Sequence, residues 1–143
     1  MPLRRRQDSM TIGIDASRAN KPHKTGTEWY SYYIIQNLSQ IDPQNSYKLY
    51  TLKPPDKGLT RLGSNFEHVI LNWPPRRFWT QLKLSAHLAF NKPDVLFVPA
   101  HTIPLIHPAN TITTVHDLGF DRLPHLYPVG ERAYQHWTLK QAI

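Results

Sequence analysis

Apolar and polar residues alternate over residues 10–15, "MTIGID", which predicts a strand with Ile12 and Ile14 on one side. The period then lengthens. In "TGTEWYSYYIIQNLSQI", Tyr30, Tyr33, Ile34, Leu38 and Ile41 recur at helical spacing, and Thr25 with Glu28 has the form of a capping box, so a helix starts beside Gly26. Asp42-Pro43 ends it. "SYKLYTL" and "FEHVILNW" read as two further strands, the latter closed by Pro74-Pro75. "RRFWTQLKLSAHLAF" returns to helical spacing with Trp79, Leu82, Ala86 and Phe90 on one face, up to Lys92-Pro93.

Residues 95–98, "VLFV", are apolar on both parities, as a parallel strand covered on both faces must be. Residues 111–115, "TITTV", are its expected neighbour, and a last helix after Pro128 carries Ala133, Tyr134, Trp137 and Leu139. Strands alternating with helices predict an α/β domain, Rossmann-like, with a mainly parallel sheet and helices on both faces. In such sheets ligands bind outside the carboxyl ends of the strands. Those ends carry Asp15, His101, and His116 with Asp117, beside a helix start at Gly26 and Thr27 whose free N–H groups suit an anion. Arg18 lies in the loop between them.

Composition narrows the chemistry. The 143 residues are 40% hydrophobic and 11% aromatic, enough for one core, and contain no cysteine, which removes disulfides and thiol chemistry. A reducing, cytoplasmic setting fits that usage, and neither a signal peptide nor an uncharged run of membrane-spanning length is present. Of the net charge of +7, Arg4, Arg5 and Arg6 against Asp8 account for +2, leaving +5 spread over the rest. No basic helix, zinc-finger spacing or aromatic RNA-binding strand accompanies it, so nucleic acid is not an expected partner. A basic face also suits peripheral association with anionic lipid head groups or phosphate-bearing substrates.

His101, His116 and Asp117 are residue types that bind metals, but adjacent residues at a strand end point apart and no H-x-x-x-H or H-E-x-x-H pair occurs. Neither a metal nor another cofactor is expected. No G-x-S-x-G elbow supplies a nucleophile. Asp117 has a plainer use as a cap of the turn before Gly119.

With these residues placed, the order of motifs resembles the N-terminal domain of GT4-type retaining glycosyltransferases of the GT-B fold. "IGIDASRANKPHKTGTEWY" resembles that family's first strand and small-residue loop, "FWTQLKLSAHLAFNKPDVLFVPAHTIPLIHP" its middle, and "NTITTVHDLGFDRLPHLYP" the strand and His-Asp segment lining its cleft. The similarity covers nearly all of residues 10–143. It implies transfer of a sugar from a nucleotide-sugar donor to a glycan or lipid-linked acceptor, with retention and no obligatory metal. It further implies that His116 contacts donor-sugar hydroxyls and acts in catalysis, while the Gly26 turn approaches the donor diphosphate or sugar. Thr27, His101, Asp117, Asp15 and Arg18 are substrate-binding candidates on the same rim. At Gly26 the chain has one glycine where many members have two.

Residues 1–9 read as a disordered basic tail, and 10–143 as an acceptor-side domain truncated before a C-terminal donor-binding domain. The chain ends at "LKQAI", inside a helical pattern, which fits the truncation, and without the donor-binding half that the resemblance implies, the isolated chain is expected to be inactive. Two other classes stand beside the enzyme reading: a non-catalytic module that binds a glycan or assembles with a partner, and a metal-dependent hydrolase using His101, His116 and Asp117.

Overall fold

A computed structural model describes residues 8–74, 78–100 and 102–143. Five strands, β1 (Thr11–Asp15), β2 (Ser46–Thr51), β3 (Phe66–Ile70), β4 (Val95–Val98) and β5 (Thr111–Thr113), form one sheet in the order β3-β2-β1-β4-β5, every pairing parallel. This is the Rossmann-like α/β arrangement that the alternation predicts. The expected tail lies outside the described residues apart from Asp8 and Ser9.

Strand parity builds the two sides of the sheet. Ile14, Tyr47 and Leu49 join Ile35 of helix α1 (Gly26–Ile41) in one core, with Ile12 and Phe97 packed against it. Tyr50, Leu96 and Val98 join Leu84 and Leu88 in the other. Residues of opposite parity on β2 and β4 thus enter opposite cores, as expected for a strand covered on both faces. Gly13 is needed on the second side: a Cβ there would stand 2.7 Å from the Tyr50 ring and 2.8 Å from Pro93.

The helices depart from their expected faces. In α1 the buried positions are Glu28, Ser31 and Ile35, whereas Tyr30, Tyr33 and Ile41 are exposed. Two polar residues occupy the inward stripe because each has a partner. The Ser31 hydroxyl donates to the Thr27 carbonyl at 2.8 Å, and Glu28 closes the capping box with Thr25. At the other end of the helix, Asp42 accepts from the Tyr47 hydroxyl at 2.6 Å and the Asn45 amide at 2.7 Å, fastening α1 to β2.

The second helical segment is not a single α-helix. Trp79–Leu84 is π-helical and runs directly into α2 (Ser85–Phe90). Its buried apolar residues are Trp79, Leu84 and Leu88, spaced by five and then four, while Leu82 and Phe90 are 50% and 90% exposed. One i→i+5 turn shifts the inward face by a residue, so a constant 3.6-residue period selects the wrong set. Trp79 anchors the turn by donating from Nε1 to the Leu71 carbonyl at 2.8 Å. After β5, which ends at Thr113 rather than Val115, come α3 (Gly119–Arg122) and α4 (Val129–Ala142). In α4 only Thr138 is buried, and Tyr134 and Trp137 are exposed. Among the described residues no helix is long and apolar enough to cross a membrane.

Candidate functional site

The strand order reverses between β1 and β4, and a crevice at the carboxyl ends of those strands is where an open α/β sheet binds ligands. A cavity of about 680 Å³ lies there. The end of β1 and the loop after it contribute Asp15, Arg18 and Lys21; the end of β4 and the segments following β2 and β4 contribute Val98, Lys53, Pro99 and Ala100. The wall opposite is built by Phe78, Trp79 and Gln81 of the π-helical turn and by Glu131, Tyr134 and Gln135 of α4. Gln81 donates from Nε2 to the Tyr134 hydroxyl at 3.3 Å, joining the two parts of that wall.

Asp15 ends β1 and is buried at the cavity. Its Oδ1 accepts the Ser17 N–H at 3.0 Å. Burial pushes its carboxyl above the ordinary carboxylate value, and the Ser17 hydrogen bonds and the Arg18 charge offset this only in part. A buried carboxyl with a raised pKa in a cleft can hold a proton or accept a hydrogen bond from a ligand.

Arg18 and Lys21 are both tethered by Glu28, at 3.2 and 2.9 Å. Burial alone would raise the Glu28 carboxyl, but the Thr25 hydroxyl, the Lys21 ammonium and the Thr25 N–H outweigh it and hold it at about 2. Glu28 therefore caps α1 and also fixes both cations at the cavity edge. Lys24, by contrast, is no free cation: its side chain is nearly buried, donates to the Lys21 carbonyl at 2.7 Å and lies over the Trp29 and Tyr32 rings. The Trp29 ring stacks on Tyr33.

The other rim residues lie outside the cavity lining, His116 and Asp117 after β5 and Gly26 and Thr27 at the α1 start. His116 is largely exposed, donates from Nε2 to the Pro99 carbonyl at 2.7 Å, and meets the Tyr30 ring edge-on. A carbonyl only accepts, so this bond puts a proton on Nε2. Asp117 accepts the Gly119 N–H at 2.9 Å, the turn-capping role expected of it. Gly26 opens α1 without a positive φ, and a Cβ there would meet nothing within 4 Å, so packing within the chain does not require a glycine. Thr27 follows in the same turn. His101 lies outside the described residues.

The structure thus gathers Asp15 and Arg18 at the cavity, places His116 against Tyr30 of α1, and leaves Asp117, Gly26 and Thr27 outside the cavity lining. His116 and the cavity meet at Pro99, whose carbonyl holds the imidazole and which itself lines the cavity. Among the described residues no group of three or more His, Asp or Glu side chains is arranged to hold a metal ion.

Sequence pattern alone passes over Lys21, Phe78, Gln81 and Tyr134. Lys21 is one turn of loop beyond Arg18, a spacing with no signature. Phe78 reaches the cavity through a backbone at φ 58°, a conformation that costs a non-glycine residue roughly 1–2 kcal/mol. No family model matches the chain, and neither does any curated protein or solved structure.

Proposed function

We propose that this chain is the acceptor-side domain of a retaining glycosyltransferase that takes sugar from a nucleotide-sugar donor. The observation that supports it most is the cavity at the β1–β4 switch point, lined by a buried carboxyl, two tethered cations, amides and aromatic rings. Such a mixture matches hydroxyl-rich or phosphate-bearing acceptors, a glycan or a lipid-linked sugar.

In this reading the acceptor occupies the cavity, with Asp15 accepting one of its hydroxyls and Arg18 and Lys21 at the edge. The donor lies over the α1 start, where the open space at Gly26 and the N–H groups of the first turn admit its diphosphate. His116, steadied by Pro99 and Tyr30, turns Nδ1 to a donor-sugar hydroxyl. A second domain holds the nucleotide, and the protein works in the cytoplasm or at the inner membrane face. No step calls for a metal.

The chain joined to a nucleotide-binding domain and offered labelled UDP-, GDP- and ADP-hexoses should transfer sugar with the anomeric configuration retained, unaffected by EDTA. The 143-residue chain alone should not. Hydrolysis abolished by EDTA would instead make His116 and Asp117 metal ligands. A non-catalytic glycan-binding module is the second reading, favoured because the cavity is built entirely within this one chain.

A further inference from the structure

Phe78 is the one non-glycine residue with positive φ among the described residues, and the residue is 59% exposed. Glycine adopts that backbone without strain, and the ring gains little from packing, so folding accounts for neither feature. What Phe78 does is line the cavity. The π-helical turn that follows is the second departure from regular structure in the same place, and such turns concentrate at functional sites. Together they bring Phe78, Trp79, Thr80 and Gln81 to the cavity, with Trp79 pinned to the Leu71 carbonyl.

We infer that Phe78 is a stacking platform on which the cavity takes the apolar C–H face of a pyranose ring, which makes it a specificity-determining residue for a saccharide acceptor. The inference rests on the acceptor-site reading given above. A pyranose ring presents axial C–H bonds on its faces and hydroxyls around its rim, and this cavity offers both complements. The Phe78 ring and the half-exposed Tyr134 supply aromatic surface; Asp15, Gln81 and Gln135 supply carboxyl and amide groups for the rim. Strain retained under an exposed ring is what a binding residue leaves behind when selection favours ligand contact over stability.

The test uses the 143-residue chain and a panel of methyl α- and β-hexopyranosides with the corresponding disaccharides, read by saturation-transfer NMR and titration. UMP and GMP are the comparison ligands. A saccharide of the panel should bind with its axial ring protons receiving most of the saturation. Phe78→Ala and Phe78→Gly should each weaken it about 10-fold or more, and Phe78→Tyr should hold it within about 3-fold. Phe78→Gly, freed of the strained backbone, should melt roughly 2–5 °C above Phe78→Ala.

Saccharide binding that survives Phe78→Gly overturns the inference, as does a panel in which nothing binds the parent chain. Binding of UMP or GMP lost on Phe78→Gly assigns the platform to a base and overturns it too. Failure of the transferase reading looks different: Phe78-dependent saccharide binding would persist while the joined two-domain protein transferred nothing. Transfer that is indifferent to Phe78→Gly would sink this inference alone.

Discussion

The ring of Tyr30 meets the His116 imidazole edge-on, with centroids 4.9 Å apart and planes at 88°. The Tyr30 hydroxyl also shares a hydrogen bond of 3.0 Å with the Thr114 hydroxyl. Helix α1 is thereby tied through its second turn to the segment leaving β5. The imidazole is held on its other side by the Pro99 carbonyl, so Tyr30 and Pro99 together fix its place beside the helix.

His116→Ala should lower kcat/KM of the joined two-domain enzyme by about 10²–10³ if the imidazole stabilises developing charge, and by less if it only positions the sugar. The side chain is largely exposed, so circular dichroism and melting temperature should stay near the parent values. A collapsed fold would make His116 a structural residue.

Gly26→Ala should be neutral or stabilising by roughly 0.5–1 kcal/mol, because the added Cβ meets open space and alanine is the better helix former. If the donor diphosphate approaches this turn, the same variant should raise KM for the nucleotide sugar. Chemical denaturation and initial-rate kinetics measure the two effects separately.

Asp15→Asn should raise stability at neutral pH, by about 1 kcal/mol, because the neutral amide keeps an acceptor for the Ser17 N–H without placing a charge in the buried site. The sign follows from the raised folded-state pKa. The folded chain holds the Asp15 proton to higher pH than the unfolded chain, so this carboxyl subtracts stability as pH rises through that window. A more stable but binding-deficient Asp15→Asn variant is the expected pair of results.

Glu28 has the opposite sign. Its pKa is depressed to about 2, so it contributes stability above its unfolded value of 4.5 and loses it as pH falls from 4.5 towards 2. Glu28→Gln preserves a capping residue but removes the charge that Arg18 and Lys21 share, and should cost about 2–3 kcal/mol at pH 7 after allowance for solvent around the cations. Its acid limb should be correspondingly flatter. An unchanged urea midpoint across pH 2–5 would contradict this.

The strands were legible because period-two alternation and apolar parity follow from burial on a pleated surface: β1, β2 and β4 appear where the pattern puts them, and β3 starts there but stops at Ile70, short of Trp73. Helix faces were less so. Glu28 and Ser31 are buried by hydrogen bonds that hydrophobicity does not report, and the π-helical turn before Ser85 breaks the period on which a stripe depends. Asp15 could be found at the cavity from its place at a strand end, and Arg18 from the loop that follows it. Phe78 and Tyr134 could not: one arrives through an unusual backbone angle, and the other looks like the core residue of a helix that is mostly exposed.

The account stands on the cavity being the place where saccharide binds, and amide shift mapping of the isotope-labelled 143-residue chain tests that most directly. Titration with the tightest-binding saccharide should move the resonances of residues 15–21, 78–81 and 134–135 together, with one shared saturation curve, and leave β3 and the outer turns of α1 unmoved. Shifts confined to residues outside the cavity, or none at saturating saccharide, would contradict it.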